Sequence, residues 1–342
     1  MWPSKKEILY KVIALLTSVL AVNIAYHYFF YEKDLEKHSD LVKLLSEIPE
    51  ETEILYVAES SNTAMHKDDT EKKTISEFVN DGIPNKIVNH LTKPAGHAGI
   101  FKYLLREISN SSKIETVVVT LNLRSFNARW IHSSLEPALQ KSLLFIRYHP
   151  PILARTMLSF KHFMNKSKLE QNKAYKDKWA KDDLRFPYPF QYKNVIEWDS
   201  AMAVQGYVES NGIKNQALTE LACHYIKGYG FQIDTLTNPR IEDFNEIIDL
   251  SKKRKWKLIF NLLAENTQKA EKLVGEDLIF LIEQNRMILK DYFSCRGIPI
   301  IDNLNAVKDE YFIDQNWTTE HYTEEGRQII ANAVIYYINT NQ

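Results

Sequence analysis

Short apolar runs rich in β-forming residues alternate along the chain with amphipathic helical patterns. This alternation restricts the fold strongly, because strands separated by helices pair in parallel and need helices on both faces of their sheet. We therefore predict an α/β protein built on a three-layer, doubly wound parallel sheet. The predicted strands are residues 54–57, 86–88, 116–121, 257–263 and 298–301, and one amphipathic helix is predicted over residues 278–289.

The segment from about 125 to 254 is too long for an ordinary connection between strands. We predict a mainly helical insertion that lies over the carboxyl ends of the strands. Its aromatic residues leave two interpretations open. Exposed, they would form a sugar-stacking platform or a docking face for a membrane partner; buried, they would form a private core. They include Trp130, Phe160, Phe163 and the run from 186 to 192.

The amino-terminal region contains a run without a formally charged residue, from 12 to 30. Such a run is close to the roughly 20 apolar residues that cross a bilayer, and no small-x-small cleavage site follows it. Lys5, Lys6 and Lys11 precede it, which predicts a single-pass signal-anchor with a cytoplasmic amino terminus and an extracytoplasmic main domain, periplasmic or at the cell surface. We divide the chain into the anchor (1–31), a helical stalk (32–51) and the α/β domain (52–342).

Charge and cysteine content exclude several classes of protein. The formal net charge of −1 gives no electrostatic bias toward nucleic acid. Cys223 and Cys295 are the only cysteines, which excludes a disulfide-rich scaffold and a Cys₄ zinc site but permits one bridge. The histidines lack a metal-ligand spacing, so we expect neither a metal nor another cofactor.

A serine pair follows the first predicted strand, in the order Ala58, Glu59, Ser60, Ser61. Ligands of open α/β sheets bind at the carboxyl ends of the strands, so Ser60 is a candidate nucleophile and Ser61 a weaker one. The alternative is that both serines only cap a following helix.

His321 lies just before a predicted carboxyl-terminal amphipathic helix for which Thr323 is a plausible N-cap. A histidine at such a position can serve as the general base of a serine hydrolase. The alternative is a histidine with only a capping or packing role.

Four blocks of the sequence, in this order, resemble those of the SGNH (GDSL-like) hydrolase superfamily. The resemblance implies that Ser60 is the nucleophile, that His321 is the base, and that the Ser60 and Gly96 backbone N–H groups and the Asn122 side chain form the oxyanion hole. The blocks are Ala58–Glu59–Ser60, Pro94 through Gly99, Thr120–Leu121–Asn122–Leu123, and Thr318–Thr319–Glu320–His321 with Gly326.

The chain departs from the family pattern at the usual first-block glycine and aspartate, here Ala58 and Glu59, and at the usual acid, here Thr318. Asp314 or Glu320 could replace that acid, or a backbone carbonyl could orient the imidazole. We expect the last arrangement, a Ser60–His321 dyad.

The resemblance extends to a membrane-anchored branch that includes proteins of teichoic-acid D-alanylation and alginate O-acetylation. It implies an extracytoplasmic O-acyltransferase or esterase that acts on a cell-envelope polysaccharide or related polymer, beside a membrane-bound O-acyltransferase partner. The alternative, favoured by the departures, is a catalytically inactive module that serves in assembly or polymer binding.

Overall fold

The computed structural model describes residues 4–146, 167–181 and 184–341. The strands are β1 (Ile54–Ala58), β2 (Val88–Thr92), β3 (Thr116–Leu121), β4 (Tyr207–Val208), β5 (Lys214–Asn215), β6 (Lys257–Leu262) and β7 (Ile300–Asp302). The helices are α1 (Lys5–Tyr26), α2 (Glu32–His38), α3 (Asp40–Ser46), α4 (Ile75–Gly82), α5 (Ala98–Glu107), α6 (Ala128–Ile131), α7 (Glu136–Ser142), α8 (Lys168–Lys181), α9 (Val195–Gln205), α10 (Gln216–Tyr229), α11 (Pro239–Arg254), α12 (Thr267–Val274), α13 (Glu276–Ser294) and α14 (Glu324–Thr340).

A five-stranded sheet in the order β2-β1-β3-β6-β7 forms the centre of the domain, and every pair in it is parallel. The chain first extends the sheet from β1 to β2 and then crosses to β3 on the other side of β1. Doubly wound sheets bind ligands at such a reversal, outside the carboxyl ends of the strands. The predicted doubly wound parallel sheet is confirmed, and its binding crevice is expected where β1 and β3 end.

Alternate residues of the strands enter two separate cores. On β3, Val117 and Val119 belong to the larger core, which α5, α11 and α13 cover, whereas Val118 belongs to the smaller core beneath α4 and α14. This period-two alternation with apolar residues on both faces is typical of a parallel strand covered on both sides. The sheet therefore holds its strand ends rigidly.

The second predicted strand is misplaced. The second strand is Val88–Thr92, beyond the predicted 86–88. Asn89 and His90 interrupt its apolar pattern because this edge strand is partly exposed there. The exposure of this edge strand therefore weakened the apolar pattern from which its bounds were predicted.

The amino-terminal helix is long and apolar enough to cross a membrane. It runs from Lys5 to His38 through a π-helical segment, with a mean hydropathy of 2.0 in its most apolar window. The region predicted as a stalk is helical, and its second helix, α3, packs onto the domain: Leu41 is fully buried in the larger core.

The predicted insertion is mainly helical in its described part. Its last helix, α11, packs on α5 and leads directly into β6, so it is the crossover helix that a parallel β3–β6 connection requires. Part of the aromatic run packs inward: Phe186 lies against Phe280, and Phe190 lies against Trp198, whereas Tyr188 is exposed. Phe160 and Phe163 lie outside the described residues. Both cysteines are free, Cys223 buried and Cys295 exposed.

Candidate active site

Ser60 opens a short 3₁₀ turn, Ser60–Asn62, two residues after β1 ends. Asn62 fixes this turn: its buried amide donates to Ser76 Oγ at 3.0 Å and to Thr92 Oγ1 at 2.8 Å. The Ser61 side chain points inward, with 1% of the residue exposed. Ser60 remains half-buried at the crevice, so it is the accessible serine of the pair.

A chain of contacts joins Ser60 to a histidine and a carboxylate. Ser60 Oγ lies 3.0 Å from His321 Nε2, and His321 Nδ1 lies 2.7 Å from Asp314 Oδ2. An ionised carboxylate only accepts hydrogen bonds, so the proton of the neutral ring lies on Nδ1. The Nε2 lone pair then accepts the Ser60 hydroxyl. This tautomer is the one that a general base for serine requires.

The loop before α14 folds back on itself and brings Asp314 to His321. Phe312 and Tyr322 form an antiparallel bridge, and the Ile313 backbone N–H donates to the His321 carbonyl at 2.9 Å. The Thr319 hydroxyl donates to the Asp314 carboxylate and holds it in place. The expected dyad with a backbone carbonyl on the imidazole is therefore wrong, because a carboxylate occupies that position.

Glu320, the other possible acid, belongs to a different interaction. Its carboxylate accepts two hydrogen bonds from Arg124, and Arg124 also donates to the Thr318 carbonyl. Both side chains are buried. Burial alone would raise the pKa of Glu320, but Arg124 and the hydrogen bonds lower it. Glu320 is thus an ionised partner of Arg124 and does not contact His321.

Ser60, Gly96 and Asn122 line one small cleft of about 40 Å³. Asn122 follows β3 and lies within hydrogen-bonding reach of Glu320. Its side-chain oxygen has no partner among the described residues, so the amide NH₂ is the group that faces the Glu320 carboxylate. An amide held in this way can still donate its second proton into the cleft.

Gly96 reaches the cleft, but its backbone N–H is already engaged. It donates to the Lys93 carbonyl at 2.8 Å and closes a turn in which Ala95 has φ of 56°. A Cβ at Gly96 would come within 2.6 Å of the Lys93 carbonyl oxygen. The glycine is required by this close approach, and the geometry does not support its predicted role as an oxyanion donor.

His97 anchors the same loop to the insertion. Its Nδ1 accepts from the Gly99 N–H at 3.1 Å, so its Nε2 carries the proton that meets Glu136 of α7 at 2.9 Å. Burial, together with the nearby Arg240 charge, lowers the pKa of His97, which agrees with this neutral tautomer. The insertion thereby fixes one wall of the cleft.

Two further carboxyl groups follow strands at this edge of the sheet, and one of them, Glu59, lines the cleft. Glu59, at the position of the usual aspartate, is buried, and the Thr120 hydroxyl donates to it at 2.6 Å. Glu265, following β6, accepts from the Tyr229 hydroxyl. Burial raises the pKa of both Glu59 and Glu265. The rise is large for Glu265, and neither carboxyl group has a hydrogen bond to His321.

Arg327 is a positioning residue that sequence reasoning missed. It is fully buried and donates to the Tyr322 carbonyl at 2.7 Å and to Asp69 Oδ2 at 2.9 Å. These bonds tie the histidine loop to the segment that follows the nucleophile turn. A signal was present: Arg327 lies at helical spacing from the buried Ile330 and Val334.

No family model and no curated protein match the chain. Several solved structures match it, and two of them are crystal structures that match over most of its length. A GDSL-like lipase from Bacteroides thetaiotaomicron is 10% identical with a TM-score of 0.36, and the match covers 92% of this chain and 98% of the lipase. A Bacteroides fragilis protein described as an acylhydrolase is 13% identical with a TM-score of 0.37, covering 89% of this chain and 96% of that one.

Proposed function

We propose that this protein is a membrane-anchored, extracytoplasmic serine acyltransferase or esterase that acts on a cell-envelope polysaccharide or related polymer. The observation that carries the proposal is the continuous Ser60–His321–Asp314 contact at the carboxyl edge of the sheet. A catalytically inactive module has no need of this alignment, with an accessible serine at one end and an acid at the other.

The chemistry follows from these positions. Ser60 Oγ attacks an ester carbonyl while its proton passes to His321 Nε2, and Asp314 stabilises the resulting imidazolium. The oxyanion is held by the Asn122 amide and by the Ser60 backbone N–H, which as the first of its turn has no partner within that turn. His321 then protonates the leaving alcohol. Water or a sugar hydroxyl, deprotonated by His321, attacks the acyl-enzyme and releases Ser60.

The amino-terminal helix supports action at a membrane surface. A tether would keep the enzyme close to an envelope polymer and raise the effective concentration of that substrate. A membrane-bound O-acyltransferase, as the partner implied by the sequence resemblance, would supply the acyl group from the cytoplasmic side. Transfer to a sugar hydroxyl is then favoured over hydrolysis where the polymer fills the site and excludes water.

Labelling with a fluorophosphonate probe tests the nucleophile. We expect the full-length protein in detergent to be labelled, Ser60→Ala to lose all labelling, and Ser61→Ala to retain it if it folds. Mass spectrometry of the adduct locates the modified residue. Labelling that persists in Ser60→Ala would remove Ser60 from the mechanism. A folded wild-type protein that neither reacts nor hydrolyses a small aryl ester would favour the inactive module.

The orientation of the anchor has its own test. Because Lys5, Lys6 and Lys11 precede the apolar run, we expect the domain that follows it to lie outside the cytoplasm. Protease added to spheroplasts should therefore digest this domain while a cytoplasmic control protein stays intact. Protection of the domain until the membrane is lysed would show the opposite orientation.

A further inference from the structure

A larger cavity adjoins the catalytic cleft. Its volume is about 390 Å³, within the roughly 300–1,000 Å³ of small-molecule sites. Arg124 and Trp130 line both spaces, so the two are neighbours. The catalytic chemistry leaves this cavity unassigned. Its lining includes Arg129 and Trp130 of α6, His224 and Lys227 of α10, and Trp317 of the loop that precedes α14.

The described lining of the cavity contains three cationic side chains, those of Arg124, Arg129 and Lys227. No carboxylate lines it among the described residues, and none of them pairs with Arg129. Lys227 has one partner, Asp199, at 3.3 Å, and its side chain is 25% exposed. The Arg124 charge is already neutralised by Glu320. Arg129 is therefore the cation most available to a ligand, and Lys227 would share its charge between Asp199 and the ligand.

Both cations act on His224, where Asp199 and Glu220 partly oppose them. Burial, followed by the charges of Lys227 and Arg129, lowers the pKa of His224 to about 4. Its Nδ1 is buried with no partner among the described residues. A bound anion would relieve the repulsion that these cations exert on the imidazolium.

Aromatic rings form part of the cavity wall. The Trp317 ring lies 3.9 Å from that of His224, centroid to centroid, and the residue is 45% exposed. Trp130 is covered on one side by Arg124, whose guanidinium carbon is 5.4 Å from the ring centroid. Exposed indole faces offer apolar area with a polar edge, which suits the C–H face of a sugar ring.

We propose that this cavity is the acceptor subsite and that it binds a saccharide unit carrying an anionic group, a carboxylate or a phosphate. Arg129 and Lys227 bind the anion and Trp317 packs on the sugar ring. The role of this site as an acceptor site rests on the proposed function, but binding of the saccharide needs no catalysis. It adds to that function the charge of the polymer.

Calorimetric titration of the full-length Ser60→Ala variant in detergent tests the subsite. Trigalacturonate and its methyl ester form the carboxylate arm; glucose 6-phosphate and glucose form the phosphate arm. We expect the anionic member of at least one pair to bind at least tenfold more tightly than the neutral member. Added salt should weaken that preference, because it screens the interaction.

Charge variants identify the residues. Arg129→Gln and Lys227→Gln should each reduce affinity for the anion several-fold and leave affinity for the neutral probe unchanged. Lys252→Gln, on an exposed helix end, is the matched control and should bind as the parent does. Thermal unfolding confirms that each variant is folded, and two independent variants protect the test against failure of either one.

The binding subsite and the catalytic role of Ser60 are tested by different measurements, so one can be contradicted while the other stands. Equal affinity for charged and neutral probes, no binding of any probe, or Arg129→Gln and Lys227→Gln both binding like Lys252→Gln would overturn the subsite. Fluorophosphonate labelling of Ser60 would stand in all these cases. Selective anion binding lost in both variants would support the subsite even in a protein that the probe does not label.

Discussion

Replacing Asp314 by asparagine should lower kcat for a model ester by about 10³- to 10⁴-fold. The asparagine amide can donate to His321 Nδ1, which favours the tautomer with its proton on Nε2, and that nitrogen can no longer accept the Ser60 proton. The carboxylate that stabilises the imidazolium is also lost. KM should change little, since Asp314 lies behind the histidine. Steady-state kinetics of the full-length protein measures both parameters.

The matched control is Glu310→Gln, which removes an exposed acid from the same loop and should leave turnover unchanged. Thr319→Val removes only the hydroxyl that holds Asp314 and should give a smaller loss. If folded Asp314→Asn stayed within tenfold of wild type, roughly 1.4 kcal/mol, a backbone-oriented dyad would again be the better description.

The sequence could predict the residues that directly follow strands. Ser60 and Asn122 come just after β1 and β3, and the carboxyl ends of neighbouring parallel strands meet at one edge. Their approach to one cleft therefore follows from the order of elements. His321 was predictable because it lies just before an amphipathic helix whose start the sequence indicates.

The acid was harder to assign because loop geometry decided it. Asp314 reaches His321 through the bridge between Phe312 and Tyr322, a pairing that local spacing does not encode. Glu320 is adjacent in sequence but turns into the buried side, where Arg124 pairs with it. The sequence likewise could not predict that the Gly96 backbone N–H is already hydrogen-bonded, since a glycine in a turn does not indicate which acceptor its N–H binds.

The charged cavity could not be predicted either. Arg129, His224 and Trp317 come from two helices and a loop of three distant regions of the chain. Each alone is typical of a solvated or packed residue. They line one cavity only because the tertiary packing of the insertion brings them together.

Replacing Arg124 by methionine should destabilise the fold by about 3–5 kcal/mol, the usual cost of leaving one member of a buried ion pair alone. Arg124 lowers the pKa of Glu320, whereas burial raises that of Glu265 well above its ordinary value, so Glu320 is the ionised acid that Arg124 neutralises. Without the guanidinium, Glu320 would remain buried with its charge uncompensated. Urea unfolding of the full-length protein in detergent at pH 7.5 measures the difference.

The pH dependence distinguishes an unpaired charge from lost packing. In the wild type the folded-state pKa of Glu320 is lowered, so the pair contributes stability above the ordinary glutamate pKa and loses it as pH falls through the lowered value. In Arg124→Met burial is opposed only by the hydrogen bonds of Asn122 and the backbone. The pKa of Glu320 should therefore rise, and the penalty should grow from pH 5 to pH 8. Arg124→Met combined with Glu320→Leu should recover much of the loss and remove this slope, because no buried charge remains. A double variant as unstable as Arg124→Met at every pH would show that packing and hydrogen bonds of the guanidinium, not its charge, stabilise the floor of the site.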